Sequence, residues 1–130
     1  MKKQDEYKLQ CQFVQLMTMQ YKSVIVFSDT AAHIRKTMIQ QIRANALQSP
    51  GIKWPDVFVA RPSGEYAGLL LEFKAKSPYK ADGVTLLKNE HIQAQSDTMA
   101  LLSEAGYQCH FVWSIEQAMS ITNQYLNDGK

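Results

Sequence analysis

The apolar residues of this chain recur with two different spacings, which predict alternating helices and strands. Over residues 4–21 they return every three or four positions, the repeat of a helix that buries one face. This stripe consists of Leu9, Phe13, Leu16 and Met17, with Glu6 one turn before Leu9. The β-branched run Ser23–Phe27 predicts a strand. A four-residue repeat over Thr30–Leu47 predicts a second helix, which ends before Ser49-Pro50-Gly51.

The rest of the chain predicts three more strands and two more helices. The strands are expected at Asp56–Ala60, Leu69–Phe73 and Gln108–Trp113, and the helices at His91–Ala105 and from Ser114 onward. Turn-forming residues 61–65 join the first two of these strands, so the two strands should form a hairpin. Leu69–Phe73 is almost continuously apolar, as is typical of a central strand. Gly106 suits the left-handed position after a helix, and Ser114-x-x-Gln117 is a capping box.

These elements define one α/β domain over residues 1–130, in the order α-β-α-β-β-α-β-α. A length of 130 residues is typical of a single domain. The strand, crossover helix and strand between Leu69 and Trp113 require at least one parallel pair, whereas the hairpin is antiparallel. We therefore expect a mixed sheet with helices on its faces, and a loop over residues 75–90.

Three charged residues fall at one end of the predicted hairpin. If the hairpin is centred on Gly64, Asp56 at the start of one strand lies opposite Glu72 near the end of the other. Opposed residues point to the same face, about 5 Å apart at Cβ. Lys74 lies two residues beyond Glu72 and shares that face, whereas Phe73 points the other way. Two carboxylates and one ammonium group should therefore converge beside an otherwise apolar hairpin.

Two carboxylates this close repel each other unless a cation neutralises them. Oxygen ligands favour Mg²⁺ or Mn²⁺, and the backbone carbonyl of Phe73 could add a third oxygen to those of Asp56 and Glu72. Lys74 would orient or deprotonate a water beside the metal, and Glu6 could add a carboxylate directly or through a water. Such an arrangement hydrolyses phosphodiesters. The alternative interpretation is that Glu72 and Lys74 form a surface ion pair and that Asp56 merely follows a turn proline.

The net charge of +2 hides a division of charge along the chain. Residues 1–88 hold 13 Lys and Arg against 7 Asp and Glu, whereas residues 89–130 hold 1 against 5. The positive excess in the first part indicates a surface that faces a polyanion. The lysines expected to contact nucleic acid are Lys53, Lys76, Lys80 and Lys88. Solvated surface lysines are the alternative interpretation of the same residues.

Several classes of protein are excluded by what the sequence lacks. No apolar run approaches the ~20 residues of a membrane-spanning helix, and the polar residues near the start lack the apolar core of a signal peptide. Cys11 and Cys109 form no disulfide framework or zinc site, so we expect a cytoplasmic location. Neither a Walker loop nor a Gly-x-Gly-x-x-Gly sequence is present, so we expect no nucleotide cofactor and no membrane partner. His33, His91 and His110 lack metal-ligand spacing, and we expect each to be structural or exposed.

Three groups of residues occur with a distinctive combined spacing. They are residues 51–58 (GIKWPDVF), residues 68–74 (GLLLEFK), and Gln95 followed eleven positions later by Gly106-Tyr107. In this combination they resemble the VRR-NUC domain family of the PD-(D/E)xK nuclease superfamily, over residues 5–122. The combined spacing is specific, although no single group is. The chain departs from the usual Gly-x-Pro-Asp sequence of the family, because Lys53 and Trp54 precede Pro55.

The resemblance implies a restriction-endonuclease-like mixed sheet and an endodeoxyribonuclease that depends on Mg²⁺ or Mn²⁺. It implies Asp56, Glu72 and Lys74 as the catalytic set. Glu6 corresponds to the acidic residue of the first helix, and Gln95 to the third-helix glutamine. Small standalone members of phage or bacterial origin resemble homodimeric Holliday-junction resolvases, so we expect branched DNA as the substrate, in a bacterial or phage-infected cell. Two alternatives remain: a monomeric nuclease that processes flaps or nicks, and a non-catalytic DNA-binding protein on the same fold.

Overall fold

The structure, a computed structural model, describes residues 2–28 and 37–128 of the chain. This part of the chain forms helices and strands in the predicted order. The helices are α1 (Lys2–Gln20), α2 (Met38–Ala46), α3 (Glu90–Glu104) and α4 (Ile115–Asp128). The strands are β1 (Val26–Ser28), β2 (Val57–Val59), β3 (Leu69–Phe73) and β4 (Gln108–Val112). Within the described ranges, no helix has the length and apolar character needed to cross a membrane.

The strands form one mixed sheet in the order β1-β2-β3-β4. The β1–β2 and β2–β3 pairs are antiparallel, whereas β3 and β4 run parallel. In the β2–β3 hairpin the paired residues are Val57 with Leu71, Phe58 with Leu70 and Val59 with Leu69. Gly64, with φ of 57°, is the first central residue of the turn that Ser63 and Tyr66 close. The predicted mixed sheet, parallel pair and hairpin register are confirmed.

The hydrophobic core lies between β3 and the helices α1 and α4. Every residue of β3 is buried, which confirms its predicted central position. The ring of Phe13 on α1 packs against that of Phe73, with the ring centroids 5.7 Å apart. The other core residues on the two helices are Met17, Ala118, Met119, Tyr125 and Leu126. Because strand side chains alternate, the residue before Phe73, Glu72, points to the opposite face of the sheet.

Helix α3 covers that opposite face. Asn89 caps its first turn by accepting a hydrogen bond from the backbone N–H of Ile92 at 3.0 Å. After its last turn, Gly106 adopts a φ of 104°, the left-handed conformation predicted there. Gln95 and Thr98 are buried on its inner side. This helix therefore brings polar side chains close to Glu72.

The first strand begins later than the β-branched run predicted. The backbone N–H of Val24 donates to the carbonyl of Tyr21 at 3.1 Å, so a turn follows α1. A turn and a strand compete for the same backbone groups. The strand consequently begins at Val26 instead of Ser23.

The second helix is shorter than predicted. Thr37 is extended, with φ of −69° and ψ of 166°, and its hydroxyl accepts a hydrogen bond from the backbone N–H of Gln40. In turn, the side-chain Oε1 of Gln40 accepts a hydrogen bond from the backbone N–H of Thr37, which completes a capping box. The prediction of a continuous helix from Thr30 is therefore wrong at Thr37, because α2 begins only at Met38. Residues 29–36 lie outside the described part of the chain.

The cap of the last helix differs by one residue from the prediction. The hydroxyl of Ser114 accepts a hydrogen bond from the N–H of Gln117 at 3.1 Å, as a capping box requires. The Gln117 side chain, however, accepts from the N–H of Trp113 at 2.8 Å rather than from that of Ser114. Because this N–H is engaged by the cap, β4 ends at Val112 and excludes Trp113.

Candidate active site

The hairpin brings the predicted charged residues together at one end of β2 and β3. Asp56 directly precedes β2, and its Oδ2 accepts a hydrogen bond from the backbone N–H of Phe73 at 2.9 Å. One further step along the observed register places Asp56 opposite Glu72, which is only 3% exposed. Lys74 follows β3, and its backbone N–H donates to the carbonyl of Val112 at 2.8 Å. The hairpin register that places Asp56 opposite Glu72 is confirmed, whereas the convergence of the Lys74 side chain on them and the catalytic roles of all three residues stay predictions.

Glu72 is a buried acid whose protonation is strongly perturbed. Burial raises the pKa of Glu72 well above its ordinary value, and the neighbouring carboxylate of Asp56 raises it further. The ammonium group of Lys74 opposes this shift without cancelling it. An ionised carboxylate in such a position is costly unless a positive charge or hydrogen-bond donors compensate it. The electrostatics therefore favour either a proton or a cation at this point of the fold.

Gln95 approaches the same carboxylate from α3. Its Nε2 group donates a hydrogen bond to Oε1 of Glu72 and lies 3.2 Å from Nε2 of His91, one helical turn earlier. Within the described part of the chain, two buried oxygens here, Glu72 Oε2 and Gln95 Oε1, have no hydrogen-bond partner. Buried polar atoms are rarely left in this way, and each such atom indicates a bound water, an ion or a functional role.

These residues line one cleft of about 540 Å³. Its predicted members are Glu6, Lys53, Asp56, Glu72 and Gln95. Glu6 reaches the cleft from α1 as a half-buried side chain. The remaining wall comes from α2, from residues 48–54 and from His91. Lys74 and Phe73 stand next to the cleft rather than among the residues that line it.

The donor set of the cleft fits a hard divalent cation. Asp56 and Glu72 offer carboxylate oxygens, and Gln95 adds an amide oxygen. Among the described residues, no three His, Cys, Asp or Glu side chains gather as a metal cluster. A metal here would therefore be completed by amide, carbonyl or water oxygens, which is usual for Mg²⁺ because it keeps several of its waters.

The predicted DNA-binding lysines divide between two surfaces. Lys53 is exposed at the rim of the cleft. Lys76, Lys80 and Lys88 are exposed on the segment between β3 and α3, where Lys80 and Lys88 line a separate groove of about 370 Å³. This segment is an ordered loop, because the N–H of Lys80 donates to the carbonyl of Thr85 at 2.7 Å.

His91 is the functional candidate that the sequence analysis missed. The lack of metal-ligand spacing to another His or Cys predicts a structural or exposed residue, yet His91 lines the cleft and contacts Gln95. Its position four residues before Gln95 was the available signal, since such residues share a helix face. His110 lies elsewhere, 2.9 Å from Oε1 of Gln108, and burial lowers its pKa. His33 lies outside the described residues.

Comparison with solved structures finds the same fold in a protein described as a VRR_NUC domain protein. The TM-score is 0.64 and the sequence identity 18%, and the match covers 96% of this chain and 90% of that chain. The chain therefore has a VRR-NUC-like fold, and the predicted α/β architecture of a mixed sheet between helices is confirmed. No family model and no curated protein matches the sequence.

Proposed function

We propose that this protein is a metal-dependent DNA endonuclease that hydrolyses phosphodiester bonds. The observation that carries the proposal is the pairing of Asp56 with the buried carboxyl group of Glu72 at a cleft where, among the described residues, Oε2 of Glu72 and Oε1 of Gln95 have no hydrogen-bond partner. The nuclease-like fold supports the same conclusion. The positive charge of residues 1–88 supports a polyanionic substrate.

The roles follow from the position of each side chain. Asp56 and Glu72 would hold Mg²⁺ or Mn²⁺, with the Phe73 carbonyl or the Gln95 amide oxygen as a neutral ligand. A bound divalent cation lowers the pKa of water and neutralises charge in the transition state, effects worth several kcal/mol. Lys74, whose ammonium group acts on the Glu72 carboxylate, would orient the attacking water by donating a hydrogen bond to its oxygen. Glu6 would hold a further water from the side of α1.

A cleavage assay tests this proposal. Purified protein is incubated with end-labelled branched DNA and Mg²⁺ or Mn²⁺, with EDTA as the metal-free arm. We expect cleavage that requires metal and falls by about 100-fold or more in Asp56→Asn and Lys74→Ala, the usual range for residues that position or transfer protons. The exposed Lys22→Ala serves as the matched control. Cleavage in EDTA, or full activity of Lys74→Ala, would contradict the proposal.

We further propose that the substrate is a four-way DNA junction and that the active form is a homodimer. One site cuts one strand, so symmetric resolution of a junction needs two sites related by a two-fold axis. Junctions labelled on each arm should yield paired, symmetric nicks, and sedimentation at micromolar concentration should give twice the mass of the chain. Preferred cleavage of flaps by a monomer would favour the flap nuclease instead. DNA binding without cleavage, unchanged in Asp56→Asn, would favour the non-catalytic protein.

A further inference from the structure

The side-chain amide of Gln95 uses both of its hydrogens. A primary amide has two N–H donors on nitrogen and two acceptor sites on oxygen. One N–H of Gln95 points to Oε1 of Glu72, and the other is within reach of Nε2 of His91 at 3.2 Å. With the amide in this orientation its nitrogen can only donate, so Nε2 of His91 is the acceptor and the hydrogen of a neutral imidazole ring lies on Nδ1.

Two acceptors on one nitrogen fix the orientation of the whole amide group. A single hydrogen bond to Glu72 would leave the terminal torsion of Gln95 broadly distributed, as such torsions are in general. The second contact, with His91, fixes the plane of the amide and therefore the direction of Oε1. That oxygen is buried and, like Oε2 of Glu72, has no partner among the described residues.

We infer that His91 is a positioning residue of this site. It holds the Gln95 amide so that Oε1 of Gln95 and Oε2 of Glu72 together coordinate the cation or accept hydrogen bonds from a water bound to it. The inference rests on the proposed function, but it assigns a role to a residue outside the set of charged side chains. His91 acts through Gln95 and is not a ligand itself. The i to i+4 spacing on α3 makes the contact a property of the helix rather than of a mobile loop.

Two variants of His91 distinguish the effect of losing the acceptor nitrogen from the effect of changing the size of the ring. His91→Phe keeps a planar ring and removes the acceptor, whereas His91→Gln can place an amide oxygen near the position of Nε2. Ser103→Ala, an exposed change at the far end of the same helix, is the matched control. Thermal unfolding of each metal-free variant checks that folding is intact.

The primary readout is Mn²⁺ binding by isothermal titration calorimetry without DNA. We expect His91→Phe to weaken binding by about 10-fold or more, the usual effect of removing a group that orients a ligand. His91→Gln should recover most of the affinity, and Ser103→Ala should match the wild type. Cleavage by His91→Phe should recover as Mn²⁺ is raised to saturation, because the defect lies in metal binding.

A double-mutant cycle with Gln95→Ala tests whether His91 acts through the amide. If it does, His91→Phe causes no further loss of Mn²⁺ affinity once Gln95 is replaced. Wild-type affinity in His91→Phe, or an undiminished effect of His91→Phe in the Gln95→Ala background, would overturn the inference while leaving the proposed nuclease function intact. Failure of the wild-type protein to bind Mn²⁺ would overturn both.

Discussion

The carboxylate of Asp56 accepts a hydrogen bond from the backbone N–H of Phe73, with 2.9 Å between Oδ2 and the nitrogen. The contact continues the hairpin pairing by one step after the backbone ladder between β2 and β3 has ended. It also holds the Asp56 carboxylate against the strand that carries Glu72. Since a register slip of one residue would turn Glu72 to the other face, the pairing that builds the fold also builds the site.

Asp56 should therefore contribute to stability and to metal binding through different atoms. Asp56→Ala removes the acceptor for the Phe73 N–H and should lower the free energy of unfolding by about 1–3 kcal/mol, the cost of an unsatisfied donor. Asp56→Asn retains an acceptor oxygen and relieves repulsion with Glu72, so its stability should stay close to that of the wild type. Urea denaturation without metal measures both variants. Equal destabilisation by the two would show that the hydrogen bond is not the cause.

The raised pKa of Glu72 predicts how the stability of the metal-free protein depends on pH. Between the ordinary pKa and the raised pKa, the folded protein binds more protons than the unfolded chain. The contribution of Glu72 to stability is therefore most favourable below its ordinary pKa and is lost as the pH rises through the raised value. Glu72→Gln, which is neutral at every pH, should remove this decline and increase the stability of the metal-free protein at neutral pH.

Chemical denaturation at a series of pH values tests this dependence, with the exposed Glu104→Gln as the control. Adding Mn²⁺ should oppose the decline in the wild type, because a cation favours the ionised carboxylate and binding to the folded state stabilises it. At a concentration 100 times the dissociation constant, the gain is about 2.7 kcal/mol. If the stability of Glu72→Gln falls with rising pH as much as that of the wild type, another titrating group causes the fall.

The salt dependence of DNA binding should identify the lysines that contact phosphate. Each such contact contributes about −0.9 to the slope of log affinity against log salt. Single changes of Lys53, Lys76, Lys80 or Lys88 to alanine should make the negative slope shallower by about one. The changes of Lys76, Lys80 and Lys88, which do not line the cleft, should leave Mn²⁺ affinity unchanged. Fluorescence anisotropy over a range of salt measures the slope. Unchanged slopes in all four variants would place the DNA elsewhere on the protein.

The register of the hairpin was predictable because it depends on local information. A glycine at the centre of a turn and the alternation of the flanking strands are sufficient to pair Asp56 with Glu72. The start of α2 was equally visible in the sequence, since Thr37 and Gln40 have the spacing of a capping box. The longer apolar repeat nevertheless predicts a helix that continues through Thr37, and that prediction is wrong.

The contact of Gln95 with Glu72, to which His91 is linked through Gln95, could not be predicted from spacing alone. It depends on how α3 lies across the sheet, which is set by packing between segments more than twenty residues apart. The spacing of His91 and Gln95 indicates a shared helix face but not what that face meets. The resemblance to the VRR-NUC family points to Gln95, whereas nothing in that resemblance points to His91.

Thr98 anchors the segment that leads into Asp56. Its hydroxyl, fully buried on α3, accepts a hydrogen bond from the backbone N–H of Lys53 at 2.9 Å. Thr98→Val keeps the shape of the side chain but leaves that N–H without its partner, so we expect a loss of about 1–3 kcal/mol in unfolding free energy. Thr98→Ser keeps the acceptor and should preserve the contact at the cost of one methyl group. Because the Lys53 segment forms part of the cleft wall, Thr98→Val should also weaken Mn²⁺ binding more than Thr98→Ser does. Calorimetry measures both affinities. Equal Mn²⁺ affinities would show that the hydrogen bond from Lys53 to Thr98 supports the fold without shaping the site.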